Sequence, residues 1–173
     1  MSPEISVPIG NIKLLEHENK TAFLTSRGTT ENSYDAIRKW LDSLSSETDC
    51  VLIGNLQQVE SYVFRGLLKR GIPTVLVMCA PYPKVWPTYI VEAIGDGKLL
   101  ILTTYGFSVP WEDEGSKAEE RNKYMIANSE RVVVGIMRPN GSIAEQIVAA
   151  KQVVELNEWH GPLNGPPGTV GYV

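Results

Sequence analysis

Five short, uninterrupted apolar runs constrain the fold of this chain more than any other feature. They are residues 21–26 (TAFLTS), 50–54 (CVLIG), 73–79 (PTVLVMC), 98–104 (KLLILTT) and 131–137 (RVVVGIM). Each is too short for a buried helix, is rich in Val, Leu and Ile, and does not alternate with polar residues. Continuous runs of this kind mark strands covered on both faces, the situation of a parallel sheet. Parallel neighbours need a crossover between them, and the intervals supply helical patterns. Ile37, Trp40, Leu41 and Leu44 fall at i, i+3, i+4 and i+7, with Asn32 or Ser33 available as a cap. Val59, Val63 and Leu67 repeat every four residues and stop at Gly71. Residues 88–95 suit a short helix ending at Gly95. Ser116 with Glu119, and Ser142 with Glu145, have capping-box spacing ahead of helices over 117–128 and 143–156. Strand and helix thus alternate five times, which predicts an open, doubly wound α/β sheet with strand order 3-2-1-4-5 and helices on both faces.

The 173 residues read as one domain, 1–173, with a compact core over about 20–156. The first 20 residues hold one more short strand or a covering arm. Residues 161–173, GPLNGPPGTVGYV, are expected to form an extended or mobile tail. Sixteen basic against twenty acidic residues give a net charge of −4. That argues against a protein that coats duplex DNA through bulk charge and leaves room for a local basic cleft. Cys50 and Cys79 lie in apolar runs without metal-type spacing, and His17 and His160 are the two histidines, so neither a metal nor a cofactor is expected. No apolar run is long enough to span a membrane, and MSPEISVPIG lacks the build of a signal peptide. The expected location is the cytoplasm.

In such a sheet, ligands bind beyond the carboxyl ends of the strands, where the strand order reverses. The loops to search are Ser26-Arg27-Gly28-Thr29-Thr30, Gly54-Asn55-Leu56-Gln57, Ala80-Pro81-Tyr82-Pro83, Tyr105-Gly106-Phe107 and Arg138-Pro139-Asn140-Gly141-Ser142. In the last, Gly141 and Ser142 precede a helix, whose free N–H groups and positive dipole end make an anion site, with Arg138 adding a charge-assisted contact. Plain capping uses the same groups, with Ser142 as N-cap and Glu145 at N3. This loop is neither a Walker loop nor a GxGxxG fingerprint. Tyr82, Trp86, Tyr89, Tyr105, Phe107 and Trp111 gather in two loops, where they either stack on bases or close the core. Arg121-Asn122-Lys123, taken alone, reads as a solvated helix face, and Glu112-Asp113-Glu114 as a solvated loop.

The stretch Arg121-Asn122-Lys123-Tyr124-Met125-Ile126-Ala127-Asn128-Ser129, followed by Val132-Val133-Val134 and by Gly141-Ser142, resembles the DNA-processing protein A (Smf) family. That family has an Arg-Asn-Arg stretch, a serine, a valine strand and a Ser-Gly-Ser turn before a helix. Gly54, the helix from Val59 to Gly71 and the strand Pro73–Met78 match its earlier glycine turn, helix and strand. Tyr82-Pro83 resembles its Tyr-Pro. The likeness covers about residues 20–155. Asn55-Leu56-Gln57-Gln58 departs from the usual Ala-Arg-Gly-Ile, and the helical extension and winged-helix module of many members are not expected within these 173 residues. The resemblance implies a Rossmann-like three-layer sandwich with a doubly wound, mainly parallel sheet of about five or more strands. It further implies binding of single-stranded DNA or a nucleotide phosphate, in DNA uptake and recombination, by a homo-oligomer whose simplest form is a dimer. The binding residues it implies are Ser26, Arg27, Gly28, Gly54, Asn55, Arg121, Asn122, Lys123, Arg138, Gly141 and Ser142.

The same superfamily holds the lysine-decarboxylase-like "lonely guy" nucleotide hydrolases, with Arg-Lys-x-x-Met and Pro-Gly-Gly-x-Gly-Thr-x-x-Glu. This chain has Arg121-Asn122-x-x-Met125 and Pro139-Asn140-Gly141-Ser142-x-x-Glu145. That likeness implies the alternative, a nucleoside 5'-monophosphate phosphoribohydrolase with Arg121 and Glu145 as the catalytic pair. A non-catalytic nucleotide-sensing domain is a third reading. Arg-Asn-Lys favours the first family and Pro-x-Gly-Ser-x-x-Glu the second; the Arg-Asn-Lys block is the longer ordered match, so a binder is expected rather than an enzyme.

Overall fold

All five apolar runs become strands of one sheet in the computed structural model, which describes residues 7–27, 31–105 and 114–159. They are β2 (Lys20–Leu24), β3 (Cys50–Ile53), β4 (Thr74–Met78), β5 (Leu99–Thr103) and β6 (Arg131–Val134), and every pairing among these five is parallel. Two short strands complete the sheet: β1 (Ile9–Gly10), antiparallel to β5, and β7 (Val153–Glu155), parallel to β6. The order is β1-β5-β4-β3-β2-β6-β7. The helices are α1 (Glu31–Ser43), α2 (Gln58–Lys69), α3 (Thr88–Gly95), α4 (Glu114–Ala127) and α5 (Ser142–Gln146).

Continuous apolar character means burial on both sides, and β3 shows it: all four of its residues are buried. On one face, Ile37 and Leu41 of α1, Val63, Phe64 and Leu67 of α2, and Ile90 of α3 pack on Phe23, Val51, Ile53, Leu76 and Ile101. On the other, Leu14, Tyr124, Met125 and Ile143 pack on Ala22, Leu24, Leu52, Val75, Val77 and Val134. The three-layer, doubly wound, mainly parallel architecture is therefore as expected.

The strand order is not. The fourth apolar run lies beyond the third rather than beside the first, giving 4-3-2-1-5 in the numbering of the five runs. Successive right-handed crossovers carry the chain one strand at a time in a single direction, placing α1, α2 and α3 on the same face. The single return, through α4 on the opposite face, inserts β6 beside β2. The fourth run can lie outermost because β1 covers it, while β7 covers the fifth. Both edges of the sheet thus end in very short strands, one of the ways natural sheets blunt their edges. The order consequently reverses between β2 and β6.

Helix ends also differ from expectation. Because α1 starts at Glu31, Asn32 and Ser33 lie within its first turn; Ser116 likewise falls inside α4. The helix expected over 143–156 stops at Gln146, continues as a 3-10 turn (Ile147–Ala149), and gives way to β7. Gly71, at φ 65°, ends α2 as expected. Of the loop aromatics, Tyr82 closes the core edge, its hydroxyl donating to the carbonyl oxygens of Val7 (3.0 Å) and Ile101 (3.2 Å). Phe107, Trp111, Glu112, Asp113 and the tail 161–173 lie outside the described residues. Among the described residues, no helix is long and apolar enough to cross a membrane, and no group of His, Cys, Asp and Glu could hold a metal ion.

Candidate functional site

Where the order reverses, the loops after β2 and β6 part and leave a cleft of about 140 Å³ at the carboxyl ends of the strands. Thr25, Ser26 and Arg27 follow β2 into it. Leu56, Gln57 and Glu60 enter from the start of α2, and Ala118, Arg121 and Asn122 from α4. Arg138, Gly141, Ser142 and Ile143 close it after β6.

Its floor is a buried ion pair. Arg121 Nη2 lies 3.0 Å from Glu60 Oε2, with both side chains 5 % exposed or less. The other carboxylate oxygen of Glu60 accepts the backbone N–H groups of Leu56 and Gln57, each at 3.2 Å. The α2 N-terminus, a natural anion site, is thus already filled by a carboxylate from its own first turn. Arg121 Nε (3.2 Å) and Nη2 (2.9 Å) also donate to Asn122 Oδ1, and Asn122 Nδ2 donates to Gln146 Oε1 at 2.9 Å. This face of α4 is turned inward, not solvated. Arg121 Nη1 is buried without a hydrogen-bond partner. It lies against Gly54, where a Cβ would stand 2.5 Å from Glu60 Oε2 and closer still to Arg121. Glycine at the end of β3 is what gives the ion pair its room. The Cys79 thiol lies near enough to feel both charges; its pKa is raised chiefly by burial, with Arg121 lowering it and Glu60 raising it.

The wall between β2 and β6 is knitted by backbone and hydroxyl groups. Ser26 N donates to Ile136 O (2.8 Å), Arg138 N to Ser26 Oγ (3.0 Å), and Ile136 N to Thr25 Oγ1 (3.2 Å). A turn follows, closed by Gly141 N–H to Arg138 O at 3.1 Å. Pro139 and Asn140 (φ 61°) occupy its centre, a pairing suited to a type II turn. The Arg138 guanidinium lies over the Trp159 ring at 5.9 Å. The chain around Trp159 is held by Asn157 Nδ2, which donates to Gly135 O (2.6 Å) and Ser33 O (3.2 Å).

Glu60 and Arg121 cancel. Arg27 and Arg138 have no ion-pair partner among the described residues, so the cleft carries positive charge on a chain whose net charge is −4.

Of the residues singled out from sequence, Ser26, Arg27, Arg121, Asn122, Arg138, Gly141 and Ser142 line this cleft, and Gly54 backs its floor. Asn55 does not: it accepts from Ser61 Oγ at 2.5 Å on the other side of the α2 start. Lys123 points to solvent and pairs with Glu119 at 3.4 Å. Glu145 is exposed and outside the cleft lining, and Gly28 lies outside the described residues. Ser142 is not an N-cap. Gly141 takes that place, which moves Glu145 past N3 and removes the expected capping box. With five residues, α5 also carries little of a helix dipole. Sequence reasoning missed Thr25, Glu60, Gln146 and Trp159, and had Gln57 only as part of a loop. Gln57 and Glu60, three apart at the start of an apolar helical repeat, carried a readable signal; Trp159 carried none.

The family model described as DNA recombination-mediator protein A matches residues 2–166. Two solved structures share the fold. One is the DNA processing protein A of Streptococcus pneumoniae, with a TM-score of 0.65 and 16 % identity over 86 % of this chain. The other is that of Helicobacter pylori, solved for its single-stranded DNA binding mode, with a TM-score of 0.66 and 20 % identity over 94 % of this chain. The match spans 53 % of the Streptococcus chain and 74 % of the Helicobacter chain. No curated protein matches the chain.

Proposed function

This chain belongs to the DNA recombination-mediator protein A family, and we propose that it binds single-stranded DNA by holding the backbone phosphate of a strand in the cleft between β2 and β6. The observation that carries this reading is the pair of arginines, Arg27 and Arg138, without carboxylate partners among the described residues, above a floor whose own charges cancel. Guanidinium groups recognise phosphate with charge-assisted, often bidentate hydrogen bonds. The Helicobacter relative's single-stranded DNA binding supports the same choice of ligand. Handling of incoming single strands for recombination in the cytoplasm, by a homo-oligomer of this chain, belongs to the same proposal.

The site binds rather than cleaves. A phosphoribohydrolase needs a free carboxylate facing a ribose; Glu145 stands outside the cleft and Glu60 is engaged by Arg121. Arg121, buried and paired, acts as a positioning residue that holds α4 against α2, and Lys123 takes no part.

Binding of labelled oligothymidylate over a salt series tests this. Each phosphate contact contributes about 0.7 to the log–log salt slope for single strands. Arg27→Ala and Arg138→Ala should each flatten the slope by about that amount. Lys123→Ala and Glu145→Gln should leave it unchanged, with no base released from nucleoside monophosphates by any form. A slope unmoved by both arginine variants sinks the reading, and so does base release that Glu145→Gln abolishes.

A further inference from the structure

The first turn of α2 borders two hollows. Leu56 and Gln57 face the cleft, while Asn55 and Gln58 face a second hollow of about 340 Å³ between α2 and α3. Ser61, Tyr62, Arg65 and Tyr89 line the rest of it, over a floor formed by Phe64. The Arg65 guanidinium lies 5.0 Å over the Tyr89 ring, and Arg65 has no ion pair among the described residues. The Tyr62 ring, 38 % exposed, is braced edge-on by Tyr34 with centroids 4.9 Å apart. Among the described residues, no carboxylate lines this hollow. Further along the same helices, a groove sets Arg65 and Lys69 opposite Glu92 and Asp96. Those two carboxylates would repel a phosphate backbone.

We propose that the hollow between α2 and α3 is a second nucleotide subsite, taking a base of the same single strand whose backbone occupies the cleft. The inference rests on the proposed function and extends it. The exposed Tyr62 ring and the exposed Arg65 guanidinium, which itself covers the half-buried Tyr89 ring, offer stacking surfaces that any base can use, because every base has a π-face. Asn55, Gln58 and Ser61 supply hydrogen-bonding groups at the rim. A strand leaving the cleft passes over the α2 start and enters the hollow directly. From Gln57 to Arg65 the helix advances about 12 Å at a rise of about 1.5 Å per residue, so the two sites lie within a short stretch of one strand. The carboxylates Glu92 and Asp96 end the track beyond Arg65. The subsite therefore adds affinity without reading sequence, and only for strands long enough to reach it.

The test compares a thymidine dinucleotide, too short to cover the roughly 12 Å between the two sites, with an oligothymidylate of about sixteen nucleotides, by fluorescence anisotropy on the full chain. Tyr62→Ala and Arg65→Ala are each expected to weaken the long oligonucleotide about tenfold and to leave the short one unchanged. Arg138→Ala should weaken both. Long strands carrying 5-iododeoxyuridine should photocrosslink to Tyr62 or Tyr89. Three results overturn the subsite: unchanged affinity for the long strand in both variants, equal losses for short and long strands, or crosslinks confined to the cleft. Each of these leaves the cleft reading standing if Arg138→Ala still weakens binding. Wild-type protein that binds neither length removes the proposed function and this extension with it.

Discussion

Gly54→Ala puts the arrangement of the floor to a quantitative test. A Cβ at this position would stand 2.5 Å from Glu60 Oε2 and within the contact radius of the Arg121 guanidinium. Both clashing groups are tips of flexible side chains, so the overlap alone is relieved cheaply. The relief, however, parts two charges that are 2 % and 5 % exposed and cannot turn to water. Breaking a buried pair costs about 3–5 kcal/mol, because an uncompensated charge stays inside. Partial separation places the expected loss near the lower end, about 3 kcal/mol, a large share of the roughly 5–15 kcal/mol that holds a typical domain together. With a urea dependence of about 2 kcal/mol per molar, the midpoint should fall by about 1.5 M. The decisive comparison is the same substitution in a Glu60→Leu/Arg121→Met background, where an apolar pair replaces the charged one. There Gly54→Ala should cost less than about 1 kcal/mol, the difference being the coupling between glycine and ion pair. Equal costs in both backgrounds would refute the reasoning, as would a loss below about 0.5 kcal/mol in the natural chain, the scatter of an ordinary surface change.

Gly71 differs from Gly54 in having nothing within 4 Å of its would-be Cβ, so Gly71→Ala meets only the strain of φ 65°. A loss of about 1 kcal/mol is expected from the urea midpoint, with Gly71→Asn losing less because asparagine tolerates the left-handed region. Burial pushes the Cys50 thiol up to about 12 from its ordinary 9.0. The folded state therefore keeps a proton that the unfolded chain loses, so this contribution is intact below pH 9 and declines as pH rises towards 12. Urea midpoints measured across that window should fall, and Cys50→Ala should flatten the fall; the native thiol should also resist alkylation at neutral pH.

The five central strands were legible because burial on both faces leaves a direct mark in sequence, an unbroken run such as Cys50–Ile53. Strand order leaves no such mark. Periodicity reports how deeply a segment is buried but not which neighbour buries it, and the coverage of β5 by two residues of β1 has no pattern to detect. The helix expected after Ser142 failed for a different reason. Ser142 and Glu145 have the spacing of a capping box, but Asn140 at φ 61° sets a turn that makes Gly141 the cap, and Val153 and Val154 pair beside β6 instead of extending a helix. In the cleft, Ser26, Arg27, Arg138 and Gly141 were legible from their positions just after strands. Glu60 was legible only as a carboxylate at a helix start; its role in the floor was not, because its partner Arg121 is distant in sequence and meets it only when α4 crosses the sheet. The two likenesses weighed from sequence diverge over Glu145, and its place outside the cleft favours the binder.

The Arg-Asn-Lys stretch carried most of the family resemblance, yet its arginine is poorly placed to grip a phosphate. Arg121 has Nε and Nη2 committed to Asn122 and Glu60, and Nη1 enclosed against Gly54. Turning it towards a ligand would leave Glu60 buried and unpaired, at about 3–5 kcal/mol. A hydrogen bond to a charged group returns about 1.5–3 kcal/mol. The exchange is unfavourable, so under the proposed function the pair stays intact while a strand binds above it. Neutralising the floor has a further effect on the electrostatics. An unpaired Glu60 would oppose an approaching phosphate, whereas a paired one leaves Arg27 and Arg138 to set the local sign against the acidic balance of the whole chain. Under the proposed function, Arg121 thus contributes to binding without touching the ligand, by cancelling the one carboxylate that lines the cleft among the described residues.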